Sequence, residues 1–195
     1  MTIPQRIIVG ISGASGVIYG VALLEALRRL AVESHLVMSK TAELTLAYET
    51  DLKAAEVKAL ADHVHAPGDL AAAPSSGSFR SLGMIVAPCS IRSMSEIATG
   101  VTSGLLTRAA DVTLKERRRL VLMVRETPLH AGHLRSMLAL AELGAVIAPP
   151  LPAFYPRPPD IDALVGHTVG RVLDLFGLGE GLVRRWGEEL PEKRR

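Results

Sequence analysis

The chain has 195 residues, 48% hydrophobic and 22% charged, enough to bury one substantial core and too apolar for a disordered protein. Its 22 Lys and Arg against 20 Asp and Glu give a formal charge of +2, which excludes a general affinity for nucleic acid or anionic membranes. A lone cysteine, Cys89, excludes an internal disulfide, and no apolar run approaches the roughly 18 residues of a membrane span, so a reducing, cytoplasmic setting is expected.

Apolar, β-branched runs alternate with helical patterns along the chain, as in a parallel α/β sheet. The first run, Arg6 to Val9, predicts a strand that stops at Gly10 and lacks the layout of a secretion signal. An amphipathic helix follows, with Val17, Val21, Leu24 and Leu27 on one face. Next come a strand over His35 to Met38 and helices over Thr41 to Tyr48 and Ala54 to Ala61. His63 and His65 fall in a polar stretch and read as solvated. Ala66 to Gly83 holds Pro-Gly, Ser-Ser-Gly-Ser and a single Phe79, and reads as a mobile loop. A strand over Met84 to Ala87 leads to helices over Met94 to Ala98 and Leu105 to Glu116. Arg118 and Arg119 read as a solvated helix end. Strands over Leu120 to Val124 and Ala145 to Ala148 flank a helix over Gly132 to Leu143. Pro149 to Pro159 is proline-rich and must run extended before a last helix, Ile161 to Phe176. One domain spanning 1–195 is expected, with Lys193-Arg194-Arg195 as a disordered tail.

Ligands of open α/β sheets bind beyond the carboxyl ends of the strands. There this sequence gathers its unusual polar residues. The first strand runs into Gly10-Ile11-Ser12-Gly13-Ala14-Ser15-Gly16 and the second into Ser39-Lys40. The third gives Pro88-Cys89-Ser90-Ile91-Arg92-Ser93, the fourth Arg125-Glu126, and the fifth leads to Tyr155. Glycines let a backbone approach an anion, and the helix start that follows favours negative charge, although strand-glycine-helix turns also exist simply to turn. The spacing is not G-x-G-x-x-G, and Ser39 rather than an acid ends the second strand, so an NAD-type ribose clamp is not expected. A mononucleotide such as FMN fits better. Ser90 reads as an N-cap, and Ser93 with Glu96 matches a capping box; capping alone also accounts for both.

Gly10 to Gly16, Tyr48-Glu49-Thr50, Leu114-Lys115-Glu116-Arg117-Arg118, Val124-Arg125-Glu126-Thr127-Pro128, Ala153-Phe154-Tyr155 and Arg185-Trp186-Gly187-Glu188 together resemble UbiX-type flavin prenyltransferases. The resemblance spans nearly the whole chain, with the motifs in order. It implies a Rossmann-like three-layer α/β/α fold with an open, mostly parallel sheet. It also implies reduced FMN bound between subunits of a dodecamer, with segment 177–195 packing on a neighbour. Dimethylallyl monophosphate would be the donor, no metal is expected, and the prenylated FMN would serve a separate decarboxylase. By positional match Gly13, Ala14, Ser15, Ser39, Ser90, Ile91, Arg92, Ser93 and Arg125 would bind FMN. Lys115, Arg125, Glu126, Tyr155 and Arg171 would surround the prenyl phosphate, with Trp186 bordering the prenyl pocket. Ser15 and Glu49 would assist proton movements; Lys115 and Glu126 complete the catalytic set.

The chemistry asks for such residues. Breaking an allylic C–O bond without a metal leaves a phosphate that cations and hydrogen-bond donors must neutralise. The allyl carbon needs electron-rich walls, for which Tyr155, Trp186 and Tyr48 are available. Arg92 departs from the small residue or Lys that the resemblance implies at that turn, and its role stays open. His130 and His133 have i, i+3 spacing without an evident third metal ligand, and Cys89, after a buried strand, reads as core. Two other readings share the scaffold: a flavin-dependent cysteine decarboxylase and a non-catalytic FMN-binding subunit.

Overall fold

The β-branched runs pair because each is apolar on both faces, which only a sheet covered on both sides can accommodate. The computed structural model describes residues 5–179 and 181–187. The chain divides into two compact units, Met1–Pro149 and Pro150–Arg195. Among the described residues of the first, six strands form one sheet: β1 Arg6–Ile11, β2 Glu33–Met38, β3 His63–His65, β4 Gly83–Cys89, β5 Arg119–Val124 and β6 Val146–Ile147. Their order is β3-β2-β1-β4-β5-β6 and every pairing is parallel. The chain steps outward from β1 to β3, then restarts at β4 on the other side of β1. That reversal makes the β1/β4 crevice the topological switch point, where such sheets bind ligands.

Helices α1 Val17–Arg29, α2 Lys40–Glu49, α3 Ala54–Lys58, α4 Ile91–Thr99, α5 Leu105–Lys115 and α6 Ala131–Glu142 connect the strands. One face of the sheet presents Ile8, Met84, Val86, Leu120 and Leu122 to Met94 and Ile97 of α4, Leu105, Leu106 and Ala109 of α5, and Leu140 of α6. Each fully buried Leu, Ile or Met contributes roughly 1.5–3 kcal/mol. The other face takes α1. Gly20 meets the sheet so closely that a Cβ there would lie 2.5 Å from the Ala87 carbonyl oxygen and 2.7 Å from Ile11 Cδ1. Alanine at Gly20 would therefore push α1 off the β1/β4 crossing.

Three expectations change here. His63 and His65 are not simply solvated: they form edge strand β3, held beside β2 where Asp62 Oδ2 accepts hydrogen bonds from the Ser34 N–H (2.8 Å) and hydroxyl (2.9 Å). The 66–82 loop contains a one-turn 3-10 helix, Ala73–Ser75, and is fastened by arginines. Arg108 Nε donates to the Ser75 carbonyl at 3.2 Å, and Arg118, expected to be a solvated helix end, donates to the Gly77 and Phe79 carbonyls.

The second unit starts with the proline-rich stretch, which forms neither helix nor strand. Asp160 then caps helix α7, Ile161–Asp174, by accepting from the Ala163 N–H at 2.8 Å. Beyond α7 the chain folds back, with Gly170 of the helix lying against Val183. Glu188 and the Lys193-Arg194-Arg195 tail lie outside the described residues.

Candidate active site

Hydrogen bonds stitch the strand ends into a continuous rim. The Ser39 N–H donates to the Ile11 carbonyl (3.0 Å), joining β2 to β1, and the Arg125 N–H donates to the Cys89 carbonyl (3.0 Å), joining β5 to β4. Ser12 closes the gap between them. Its buried hydroxyl donates to the Pro88 carbonyl at 2.8 Å and accepts from the Ser90 N–H at 2.7 Å, across the switch point. Next along the rim, Gly13 faces Thr41, whose Cβ and Oγ1 would lie 2.5 Å from any Cβ placed there. Glycine is required by that close approach, and the turn is thereby fixed against α2.

Two helices point their N-termini at this rim, each under a serine. Ser39 Oγ accepts from the Ala42 N–H at 3.1 Å, and Ser90 Oγ accepts from the Ser93 N–H at 3.3 Å and donates to Ser93 Oγ at 3.2 Å. Between them lies a cavity of about 230 Å³, lined by Ser39, Thr41, Ser90, Arg92, Ser93 and the 103–107 segment. The N-termini and hydroxyls suit an anion. The Ser93–Glu96 capping box does not form. Glu96 instead takes a 2.8 Å bond from Arg92 Nε and another from the Ser103 hydroxyl. Its partial burial works against ionisation, but those two donors outweigh it and hold the carboxyl below the ordinary value of 4.5.

The glycine-rich turn behaves differently from the other two helix starts. Gly16 and Val17 N–H groups, the first donors of α1, are taken by Glu49 from the end of α2, at 2.8 Å and 3.0 Å. Protein already supplies the negative charge at that helix end. Ser15 stays exposed beside it.

In the second unit the Tyr155 hydroxyl donates to the Arg184 carbonyl at 3.0 Å and lies 3.2 Å from His167 Nε2, with the ring packed edge-on to Trp186 at 5.4 Å. Arg171 reaches Asp174 at 2.6 Å, and Arg185 grips both oxygens of the same carboxylate at 2.8 and 3.1 Å. Partial burial raises the Asp174 carboxyl, but the two guanidinium groups outweigh that and hold it below its usual range.

The Flavoprotein family profile matches residues 1–172. Over 185 residues the chain is 60% identical to the flavin prenyltransferase UbiX of Escherichia coli (strain K12), covering 93% of this chain and 98% of that one. AnUbiX (PadA1), solved in complex with FMN and dimethylallyl pyrophosphate, superposes with a TM-score of 0.93 at 54% identity, covering 95% and 98% of the two chains. A dodecameric FMN-dependent UbiX-like decarboxylase from Escherichia coli O157:H7 superposes with a TM-score of 0.90 at 54% identity, covering 93% and 98%. The chain belongs to the UbiX-type flavin prenyltransferases.

For a flavin prenyltransferase of this type, the rim collects Gly13, Ala14, Ser15, Ser39, Ser90, Ile91, Arg92, Ser93 and Arg125 at neighbouring strand ends, with Glu49 beneath the first turn. Glu126 follows Arg125 and is exposed, its carboxylate accepting from the Thr127 N–H at 3.0 Å. Lys115 is not brought to that rim within one chain. It ends α5, just before β5 begins, whereas Arg125 follows the last residue of β5. Six strand residues at about 3.3 Å each separate the two by roughly 20 Å. Tyr48 is 91% exposed on this chain. The sequence offers Ser12 only as part of the glycine-rich turn and Glu96 only as a capping partner, and does not point to Thr41 or the 103–107 segment. Ser12 carried a signal, as the polar residue closing the first strand; the 103–107 segment, arriving from between two helices, carried none.

Elsewhere, His130 is the N-cap of α6, its Nδ1 accepting from the Gly132 N–H at 3.0 Å. Cys89 is fully buried and its thiol is pushed up to about 12 by loss of solvent, which fits the core reading.

Proposed function

We propose that this chain joins the dimethylallyl group of dimethylallyl monophosphate to N5 and C6 of reduced FMN, and that the prenylated flavin passes to a partner decarboxylase. The observation that carries the proposal is the rim at the β1/β4 switch point. There a glycine-tight turn and two serine-capped helix N-termini converge, in a chain 60% identical to a flavin prenyltransferase. The hydroxyl-lined cavity at two helix N-termini fits the phosphate of a flavin mononucleotide.

In this reading the flavin supplies the nucleophilic nitrogen and carbon, and the protein manages charge. Lys115, Arg125 and Arg171, with the Tyr155 hydroxyl, neutralise the departing phosphate, each donor contributing roughly 3–4 kcal/mol to the transition state. Glu126 stands among the residues around that phosphate. Tyr155 and Trp186, in edge-on contact, offer aromatic surface to the cationic allyl carbon. Ser15 and Glu49 handle the proton released on ring closure. Lys115 comes from a neighbouring copy, a placement supported by its position at the opposite end of β5 and by the dodecameric relative. A cytoplasmic setting accords with the chain's single cysteine; among the described residues no helix is long and apolar enough to cross a membrane.

Replacing Arg171 with Ala, or Tyr155 with Phe, tests the assignment. Prenyl transfer should fall at least ~10²-fold while FMN stays bound. Parallel loss of FMN binding and transfer would contradict the phosphate role. A cysteine decarboxylase or an FMN carrier would need neither residue for its own task.

A further inference from the structure

Away from the rim, two short patterns meet on one face of the sheet. Glu33-x-His35 on β2 and His63-x-His65 on β3 both follow the two-residue period of a strand, and His35 is the direct cross-strand partner of His63. Glu33 opens β2 whereas Ser39 follows its last residue, so the cluster sits roughly 20 Å of strand away from the flavin rim. Glu33 Oε1 lies 2.8 Å from His35 Nε2 and 3.3 Å from His63 Nε2, and the three donor atoms all lie within 4.8 Å of one another. A tetrahedral ion with bonds of 2.0–2.2 Å places its ligand atoms roughly 3.4 Å apart; His63 already stands at about that spacing from Glu33, and the Glu33–His35 pair, in contact at 2.8 Å, must open to admit the ion.

We infer that Glu33 Oε1, His35 Nε2 and His63 Nε2 form a site for one zinc-class divalent ion, with solvent as a fourth ligand. Two imidazoles and one carboxylate are a donor set that selects Zn, Co, Ni or Cu over Mg or Ca. The surrounding contacts are those of a supported site. His35 Nδ1 lies 3.0 Å from His65 Nε2, so a metallated His35 can donate its remaining N–H to that ring. Arg6 Nε faces the second carboxylate oxygen, Oε2, at 3.3 Å as an ion pair without a hydrogen bond, and leaves Oε1 for the ion. The edge-on Phe79 ring, 4.8 Å from His35, covers the buried side. The ion would brace edge strand β3 and the loop after it, independently of prenyl transfer.

The test uses the full-length protein stripped with a chelator, titrated with Zn(II) by calorimetry and with Co(II) by visible absorption. One ion per chain and a tetrahedral Co(II) band are expected. His63→Gln, at an exposed position that does not threaten folding, should abolish the band. His65→Leu should weaken Zn(II) binding by roughly 10–100-fold without changing its stoichiometry. His130→Gln, at the unrelated helix cap, should change nothing. Absence of stoichiometric binding to the parent protein, unchanged binding in His63→Gln, or loss in His130→Gln would overturn the site.

Discussion

The Glu49 carboxylate accepts hydrogen bonds of 2.8 and 3.1 Å from the Gly16 N–H, so the end of α2 caps the beginning of α1. A residue assigned a proton-transfer role is therefore also part of the scaffold, and the two roles separate experimentally. Glu49→Gln keeps an amide oxygen for the cap but loses the base. It should melt near the parent temperature, bind FMN, and transfer the prenyl group some 10²–10⁴-fold more slowly. Glu49→Ala loses the cap too, and should be destabilised by about 1 kcal/mol in a denaturant titration. Parent-like turnover in Glu49→Gln would reduce the residue to a cap.

Acid sensitivity should follow Glu96. Its folded-state pKa lies below the ordinary 4.5, so the unfolded chain binds the proton more readily. Its contribution to stability is complete above the ordinary value and is lost as pH falls through the depressed folded one. Glu96→Gln should flatten that part of the acid limb in equilibrium unfolding. Because Glu96 also holds Arg92 and Ser103 at the cavity, the same substitution should weaken FMN in a fluorescence titration at neutral pH.

Much of the sheet could be read directly from the chain, since both-faced burial writes unbroken apolar runs such as Gly83–Cys89. The helices between them appeared within a few residues of their bounds, α5 at Leu105–Lys115 against an expected end at Glu116. Strand β3 did not appear. His-Val-His has no apolar signature of its own and becomes a strand through its pairing with β2 and the Asp62–Ser34 bonds. Arg118 looked like a solvated charge because its partners, the Gly77 and Phe79 carbonyls, lie some forty residues away in sequence. At the site, residues following strands could be placed from sequence because topology delivers every parallel strand end to one edge. Lys115 ends a helix, and topology delivers it to the other.

That separation leads to a prediction for mixed assemblies. Oligomers made wholly of Lys115→Ala or wholly of Arg125→Ala chains should both be inactive in prenyl transfer. If each site combines Lys115 of one copy with Arg125 of another, co-refolding the two variants in equal amounts should restore activity to about a quarter of the sites. If both residues serve the same chain's site, mixing should restore nothing.

The most direct measurement is the mass of the flavin after anaerobic incubation of the protein with reduced FMN and dimethylallyl monophosphate. A gain of one C5 prenyl unit, dependent on the protein and lost with Arg171→Ala, is the predicted result. Flavin recovered unchanged while the protein remains folded and FMN-bound would contradict it.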